Sequence, residues 1–191
     1  MKILYIFPFL LAVIITGLFR TSQTDKVVLD FLDFRNASFE ETLPLAKSGS
    51  HIAQFNLGLM YKTGEGVYKN NQKAAKWFQR AADRGYDRAQ YYLAKVYLIG
   101  SPTLQEDQHA CRWLTRAAKQ GERRAQANLG VMYGLGRGVS KDFVLALKWF
   151  ILSYERELEK AMAEAMTPFE IQEAKKLARE FKPRNEIGRR F

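Results

Sequence analysis

Apolar residues recur along this chain in two short patterns that alternate with each other. In the first, alanine, leucine and tyrosine stand four residues apart, as in Ala53, Leu57 and Tyr61, which places them on one face of a helix. The second begins at Ala74 and Trp77 and has apolar residues at i, i+3, i+4, i+7 and i+8, again the pattern of an amphipathic helix. The hydrophobic pattern therefore predicts pairs of helices.

The helix pair recurs at a fixed interval of 36 residues. The phrase "KAAKWFQRAADRG", which begins at Lys73, returns 36 residues later as "HACRWLTRAAKQG" and after another 36 as "LALKWFILS". Alanine, leucine, tyrosine, tryptophan and glycine keep this register, as in Trp77, Trp113 and Trp149 or Gly49, Gly85 and Gly121. A fixed period of this length is typical of a solenoid, in which each helix pair buries its apolar face against its neighbours. We therefore expect the three tryptophans to lie in the core.

Glycines and capping residues mark the ends of the predicted helices. "GEGV" at 64–67 recurs as "GRGV" at 136–139, where glycine permits a positive φ. Asn70 and Asp142 are predicted N-caps, and Gly85 a C-cap. Mid-helix Gly58 and Gly130 predict a contact too close for a larger side chain, since glycine is unfavourable there; the second repeat has Ala94 at this position.

These residues carry a resemblance to a known family. The pattern A-x-x-x-L-G-x-x-Y-x-x-G-x-G-V, followed by K-W-F-x-x-A-A-x-x-G, resembles the Sel-1-like repeat, a relative of the tetratricopeptide repeat. The resemblance extends from Ala53 to Leu152, and the second repeat departs from it at Pro102, which replaces the second loop glycine. It implies an all-α fold, a right-handed α-solenoid of helix-turn-helix repeats, and a role as a protein–protein interaction adaptor.

The repeats and their flanks divide the chain into seven segments. They are an N-terminal membrane anchor or signal peptide (1–24), a capping half-repeat (25–52), three repeats (53–88, 89–124 and 125–160), a C-terminal capping helix (161–182) and a basic tail (183–191). The helix that begins near Asp142 is expected to continue through "YERELEKAMAEAM". A capping box at Thr167 and Glu170 then predicts the start of the last helix, whose apolar face contains Ala174 and Ala178.

The N-terminal segment carries the expectation about location. Uncharged and mostly apolar residues run from Ile3 to Phe19, between Lys2 and Arg20. This length suits either a short membrane-spanning helix or a signal peptide, and we favour the anchor. In both cases the repeats are expected beyond the membrane, most simply at a bacterial inner membrane facing the periplasm, in the cell envelope.

Composition restricts the chemistry that the chain can carry. A single cysteine, Cys111, excludes an intramolecular disulfide and a cysteine-rich metal site, and His51 and His109 have no partner at ligand spacing. No phosphate-binding glycine motif is present. We therefore predict a protein that is not an enzyme and that needs no cofactor or metal. We expect Cys111 to be a small buried hydrophobe and His109 to be solvated.

The solvent-facing side of the first helices is the predicted binding site. In tetratricopeptide-like solenoids this side lines a concave groove, so the resemblance places ten residues there: Phe55, Leu59, Lys62, Arg88, Tyr91, Lys95, Leu98, Arg124, Ala127 and Val131. Their apolar centre and basic edges predict a peptide or a partner helix as ligand, with Phe55 and Tyr91 as anchors. The formal net charge of +10 permits an acidic partner surface, whereas nucleic acid is not favoured.

Two other functions compete with the adaptor. The first is a cell-wall or small-ligand binding protein, since some cysteine-rich members of the family have been linked to binding or hydrolysing β-lactam-like compounds. This chain lacks their paired cysteines and has no S-x-x-K motif. The second alternative is an electrostatic binder of anions or lipid surfaces. Its binding would weaken steeply with salt and would not depend on the apolar groove residues.

Overall fold

The computed structural model describes residues 37–100 and 103–184, and all regular elements in these ranges are α-helices. They are α1 (Phe39–Ser48), α2 (His51–Thr63), α3 (Asn71–Asp83), α4 (Asp87–Gly100), α5 (Leu104–Lys119), α6 (Arg123–Leu135), α7 (Phe143–Ser153), α8 (Arg156–Glu164) and α9 (Pro168–Arg179). The chain forms two compact units that meet at Ala74 and Ala75, within α3.

No helix among the described residues has both the length and the apolar character needed to cross a membrane. The predicted anchor at 1–24, the first part of the capping segment at 25–36 and most of the basic tail at 183–191 lie outside the described residues.

Among its described residues, the first unit contains a helical hairpin in which α1 packs on α2. Ser38 caps α1 in a capping box with Glu41, and Gly49 ends the helix at a φ of 105°. The Phe39 ring then meets the Tyr61 ring edge-on, with centroids 5.7 Å apart. Local capping signals thus define both ends of α1, and an aromatic contact joins the two helices.

The second unit contains the hairpins α4–α5 and α6–α7, which are packed together through α5 and α6. Its core is formed by small and branched side chains such as Ala94, Leu114 and Leu129, together with Trp149. The close approach predicted at Gly130 is confirmed, because a Cβ there would lie 2.7 Å from Phe150 Cε1 and 3.1 Å from the Ala146 carbonyl oxygen. This glycine allows α6 to approach α7.

The predicted helix caps are confirmed. Asn70 Oδ1 accepts a hydrogen bond from the Lys73 N–H at 2.9 Å, and Asp142 Oδ1 accepts one from the Leu145 N–H at 2.8 Å. Gly85 ends α3 in the left-handed region with a φ of 89°. Each signal extends over at most four residues, so it can be read from the sequence without knowing the tertiary structure.

A glutamine near the start of each first helix makes a hydrogen bond that the apolar pattern does not predict. In both units the side-chain Nε2 donates to a backbone carbonyl eight residues earlier, in the pairs Gln54–Ala46, Gln90–Ala82 and Gln126–Ala118. All three side chains are buried. Within its unit, each bond ties the start of a first helix to the end of the preceding helix.

The end of the third repeat corrects the predicted continuous helix. The helix α7 stops at Ser153, and α8 starts only at Arg156. Between them Tyr154 adopts a φ of 60°, and it is the one non-glycine residue with a positive φ among those described. The Tyr154 N–H donates to Ile151 O, and the Glu155 N–H donates to Phe150 O. The end of α3 has the same pattern, in which the Gly85 N–H donates to Ala82 O and the Tyr86 N–H to Ala81 O.

The 36-residue period shows that α7 ends earlier than the second helices of the preceding repeats. The glycine expected 36 residues after Gly121 would stand at position 157, so Tyr154 ends the helix three residues sooner. Arg123 stabilises the early end: its guanidinium donates to Ser153 O at 3.0 and 3.2 Å and lies 4.7 Å from the Tyr154 ring centroid. The helix continuation was therefore wrong because a tertiary contact holds a left-handed tyrosine.

The tryptophans and His109 also differ in part from their predicted environments. Trp149 is buried and meets Phe181 edge-on at 5.6 Å, whereas Trp77 and Trp113 are half-buried. The exposed side of each half-buried ring is covered by an arginine of the same helix, with Arg80 4.4 Å and Arg116 4.8 Å from the ring centroid. His109, expected to be solvated, is half-buried and stacks on Tyr97.

Candidate partner-binding surface

The predicted groove residues differ in solvent exposure between the two units. In the first unit Phe55 is fully buried, and Leu59 and Lys62 are half-buried. A fully buried ring offers no surface to a ligand, so the expectation that Phe55 is an exposed anchor is wrong. A helical wheel of α2 alone cannot show which of its sides the rest of the fold covers.

In the second unit a set of eight residues, six of them predicted, lies along α4 and α6. We call it the α4–α6 face; it consists of Arg88, Tyr91, Lys95 and Ile99 on α4 and of Arg124, Ala127, Val131 and Leu135 on α6. Each set has helical spacing of three or four residues, so each forms one stripe. The two stripes are in the same register, since each member on α6 follows its counterpart on α4 by 36 residues. The remaining predicted residue, Leu98, is half-buried.

Arg124 connects the two stripes of the α4–α6 face. Its guanidinium carbon lies 4.7 Å from the ring centroid of Tyr91 and 5.6 Å from that of Tyr92. Its Nε donates to Glu122 Oε1 at 2.7 Å and its NH2 group to Oε2 at 3.3 Å. The hydrogen bond to Glu122 raises the pKa of Arg124, so the guanidinium stays charged. A fixed cation therefore covers the aromatic pair of α4.

Tyr91 consequently has a different role from the one predicted. Only 8% of its surface is exposed, since the ring belongs to the core of the second unit. Arg124 lies over this ring, and Lys95 Nζ is 5.9 Å from its centroid. Burial raises the pKa of its hydroxyl, although the nearby Arg124 charge acts in the opposite direction. Tyr91 thus supports two cations at the surface and is not itself an exposed anchor.

The most exposed apolar residues of this face were not among the predicted ones. Ile99 has 76% and Leu135 66% of its surface exposed, at equivalent positions near the carboxyl ends of α4 and α6. The sequence pattern selected Leu98 on α4; its equivalent on α6, Gly134, is buried, and a Cβ there would lie 3.0 Å from Met162 Cε. The recurrence of an apolar residue at 99 and 135 was the available signal.

The α4–α6 face has the chemistry of a binding surface. Arg88 and Arg124 lie at its amino-terminal end, and exposed Val131, Ile99 and Leu135 lie toward the other end. In the part of the chain that the structure describes, no group of three or more His, Cys, Asp or Glu side chains could hold a metal ion. The face therefore offers cations and apolar contact to a ligand.

Comparison with known proteins places this arrangement in a family. The Sel1 repeat model matches residues 51–86, 87–122 and 123–157, which together make up more than half of the chain. A crystal structure of a Sel1 repeat protein from Oxalobacter formigenes is 33% identical and superposes with a TM-score of 0.58, covering 65% of this chain and 96% of that one.

A curated relative is similar over a shorter stretch. The putative sel1-like repeat-containing protein L18 of Acanthamoeba polyphaga mimivirus is 51% identical over 39 residues, which are 20% of this chain and 7% of that protein. This chain thus matches only a small part of the relative's length. The predicted fold class is confirmed, and proteins of this kind generally serve as non-enzymatic scaffolds that bind protein partners. The chain belongs to the Sel1 repeat family of helical solenoid proteins.

Proposed function

We propose that this protein is a non-enzymatic adaptor that binds an amphipathic segment of a partner protein, a peptide or a helix, on its α4–α6 face. The observation that carries the proposal is the recurrence of exposed apolar residues in one register on two helices, Ile99 on α4 and Leu135 on α6. Exposed apolar residues that occur singly need no explanation, whereas clustered ones mark interaction sites.

The position of the arginines adds a second argument. Arg80, Arg116 and Lys119 lie near the carboxyl ends of α3 and α5, where the helix dipole favours cations. Arg88 and Arg124 lie instead in the first turns of α4 and α6, where the dipole disfavours them. The helix dipole therefore does not explain these two arginines. Arg124 is paired with Glu122 within the chain, and an acidic group of a partner would be a functional reason for a cationic end of the face.

These features define the partner's chemistry. Apolar side chains of the ligand would contact Val131, Ile99 and Leu135, and carboxylates would lie near Arg88 and Arg124. An amphipathic helix with acidic residues at one end has this distribution, and binding through an apolar stripe is a recurring mode of helix recognition.

Site-specific photo-crosslinking tests the proposal directly. A benzophenone amino acid would replace Leu135 in one variant and Phe169 in the control variant, since Phe169 is also strongly exposed, at 78%, but lies on α9. We expect one protein to be captured from position 135 and not from position 169. A further Val131→Glu change should abolish that capture, because it places a carboxylate in the apolar stripe.

Two results would contradict the α4–α6 face as the site. One is equal capture of the same proteins from positions 135 and 169. The other is capture that survives Val131→Glu but disappears in moderate salt, which would favour the electrostatic binder. The identified partner would then be purified, and its affinity measured with and without Lys95→Glu.

We also propose that the segment at 1–24 holds these repeats at a membrane, facing a periplasm. The proposal rests on the uncharged run from Ile3 to Phe19, which has the length of a short spanning helix. A reporter enzyme that is active only after export, fused after Phe191, should be active in cells. Activity that requires a cytosolic reporter instead would overturn this location.

A further inference from the structure

A cleft with a volume of about 640 Å³ opens beside α5, between that helix and residues near the end of α6 and in the turn that follows. We call it the α5 cleft. Its lining consists of Gln108, Cys111, Arg112, Thr115 and Arg116 from α5, with Tyr133 on α6 and Gly138 and Val139 in the turn. It shares no lining residue with the α4–α6 face. A ligand here would therefore contact different residues from the partner proposed above.

The cleft is cationic on one side. Arg112 and Arg116 are one helical turn apart on α5, and the described lining contains no carboxylate. Within the described part of the chain, Arg112 donates one long hydrogen bond, from Nε to Gln108 O at 3.4 Å. Arg116 lies over the Trp113 ring, with its guanidinium carbon 4.8 Å from the centroid. The two guanidinium groups thus bring positive charge to the rim of the cleft.

The nearby carboxylate is already bound elsewhere. Asp107, at the start of α5, receives two hydrogen bonds from Arg137, at 2.6 and 2.9 Å. Bidentate pairing of this kind fixes both groups in one geometry. Gly138 also packs closely on the Asp107 backbone, since a Cβ at position 138 would lie 2.6 Å from the Asp107 carbonyl carbon. This ion pair therefore shapes the turn beside the cleft and occupies the Asp107 carboxylate.

The other side of the cleft is apolar. Cys111 is buried, with 4% of its surface exposed, and Tyr133 and Val139 are half-buried beside the core of the second unit. Burial raises the pKa of the Cys111 thiol and of the Tyr133 hydroxyl, which keeps both groups neutral near pH 7. A ligand that enters fully would meet an uncharged surface below the arginines.

We propose that the α5 cleft is a second docking surface, which binds an acidic segment of a protein through an apolar side chain on its floor and carboxylates on Arg112 and Arg116. Charge complementarity selects an acidic ligand, and the apolar floor selects a peptide over a small free anion. A free phosphate would engage only the guanidinium groups and would leave the floor uncovered. An adaptor with two separate faces can hold two proteins together.

A fluorescent peptide tests this site on the purified repeats with their flanking segments. The probe is an N-acetylated peptide of sequence Glu-Leu-Glu-Phe-Glu-Glu, and its counterpart has lysine in place of each glutamate. We expect the acidic probe to bind and the basic one not to bind. Arg112→Gln with Arg116→Gln should weaken binding about tenfold, which corresponds to about 1.4 kcal/mol for the loss of two partly exposed ion pairs together.

Matched controls separate this site from general charge and from the α4–α6 face. Arg179→Gln, at an exposed arginine of α9, should leave the affinity of the acidic probe unchanged. Val131→Glu with Leu135→Glu should also leave it unchanged, so failure of this proposal is distinguishable from failure of the first. Equal weakening by Arg179→Gln, or loss of binding in the α4–α6 variant alone, would overturn the α5 cleft as the site.

A photoreactive group on the probe allows the bound position to be located. A benzophenone on the acidic probe should crosslink, on irradiation, to residues that line the α5 cleft, such as Thr115 and Tyr133. Peptide mapping by mass spectrometry would identify the crosslinked residues, and the Arg112→Gln, Arg116→Gln variant should give less product. Equal yields for the acidic and basic probes would overturn the proposal. Equal binding of an all-glutamate probe that lacks Leu and Phe would do so too, because it would indicate a site for anionic charge alone.

Discussion

The hairpins α4–α5 and α6–α7 have different residue pairs at equivalent positions of the contact between their two helices. At the position where each first helix crosses its partner, the first hairpin has Ala94 with Leu114 in the equivalent partner position, and the second has Gly130 with Phe150. A smaller residue on one helix accompanies a larger one on the other. The sequence has the second combination once more, as Gly58 and Phe78, 20 residues apart as in both hairpins.

The difference shows that total volume at this crossing is what the fold requires. Protein interiors are packed tightly enough that one additional methyl group is felt. In α6–α7 the aromatic ring of Phe150 occupies the space where a Cβ of residue 130 would project. In α4–α5 Ala94 is buried, and the residue equivalent to Phe150 is the smaller Leu114, which is buried in the same core. Neither residue of a pair can be interpreted without the other.

The largest effect is expected from placing a methyl group in the tighter hairpin. Gly130→Ala should lower the free energy of unfolding by about 1–3 kcal/mol, because its Cβ would lie 2.7 Å from Phe150 Cε1. The intrinsic helix preference of alanine acts in the opposite direction, so a loss would demonstrate the steric conflict. Urea unfolding followed by circular dichroism measures the change.

A double substitution sharpens this comparison. Gly130→Ala combined with Phe150→Leu reproduces the residue pair of α4–α5, and the double variant should be more stable than the sum of the two single changes predicts. The reciprocal exchange, Ala94→Gly with Leu114→Phe, is the matched control in the other hairpin. Simple additivity in both hairpins would refute volume complementarity at the crossing.

The equivalent glutamines Gln90 and Gln126 form a second comparison. Both donate to an alanine carbonyl, but Gln90 Oε1 also accepts a hydrogen bond from Gln120 Nε2 at 2.9 Å, whereas Gln126 Oε1 is buried without a partner among the described residues. Gln120 donates to the Gly85 carbonyl as well, at 2.9 Å. The junction between the first and second repeats thus contains a small polar network, which the described residues of the next junction lack.

Leucine substitutions should separate these two glutamines. Gln90→Leu removes one acceptor from Gln120 and one hydrogen bond to Ala82, so we expect a loss of about 1–2 kcal/mol in the free energy of unfolding. Gln126→Leu removes one hydrogen bond, which destabilises the fold, but it also removes a buried oxygen that has no partner, which stabilises it. We therefore expect its loss in the free energy of unfolding to be less than half of that for Gln90→Leu. Thermal and urea unfolding of both variants would measure this, and equal losses would show that the network contributes nothing.

The parts of this fold that the sequence predicts are those determined locally or by the repeat period. The caps at Asn70 and Asp142 each depend on a bond across three residues, and Gly130 was recognised because glycine is unfavourable within a helix. The burial of Tyr91 depends instead on packing against other helices, and its contact with Arg124 joins residues 33 positions apart. The same limit applies to Phe55, whose exposure was inferred from its own helix alone.

The candidate surface was therefore predicted at the level of helices, and less well at the level of side chains. The sequence identified the correct side of α4 and α6 for the cations, and Arg88 and Arg124 are exposed there. It assigned the apolar anchors to Phe55 and Tyr91, which are buried, and missed Ile99 and Leu135. An error of one residue in the helical phase selects a neighbour with a different exposure, as with Leu98 in place of Ile99, because each residue advances the helix by about 100°.

The smallest expected effect concerns the two ways in which a second helix ends. The helix α3 ends at Gly85, whose φ is 89°, and α7 ends at Tyr154, whose φ is 60°. A left-handed conformation costs a residue with a side chain about 1–2 kcal/mol, whereas glycine adopts it readily. Arg123, stacked on the Tyr154 ring and bonded to Ser153 O, offsets part of this cost.

Comparing two substitutions isolates the backbone contribution at Tyr154. Tyr154→Gly and Tyr154→Ala both remove the ring and its contact with Arg123, so they differ in conformational preference. We expect the glycine variant to be more stable than the alanine variant by about 1 kcal/mol. At exposed Ala161, inside α8, glycine should instead be less stable than alanine by about the same amount. If alanine is preferred at both positions, position 154 is not held in the left-handed region in solution, and α7 continues toward α8 as the sequence pattern predicts.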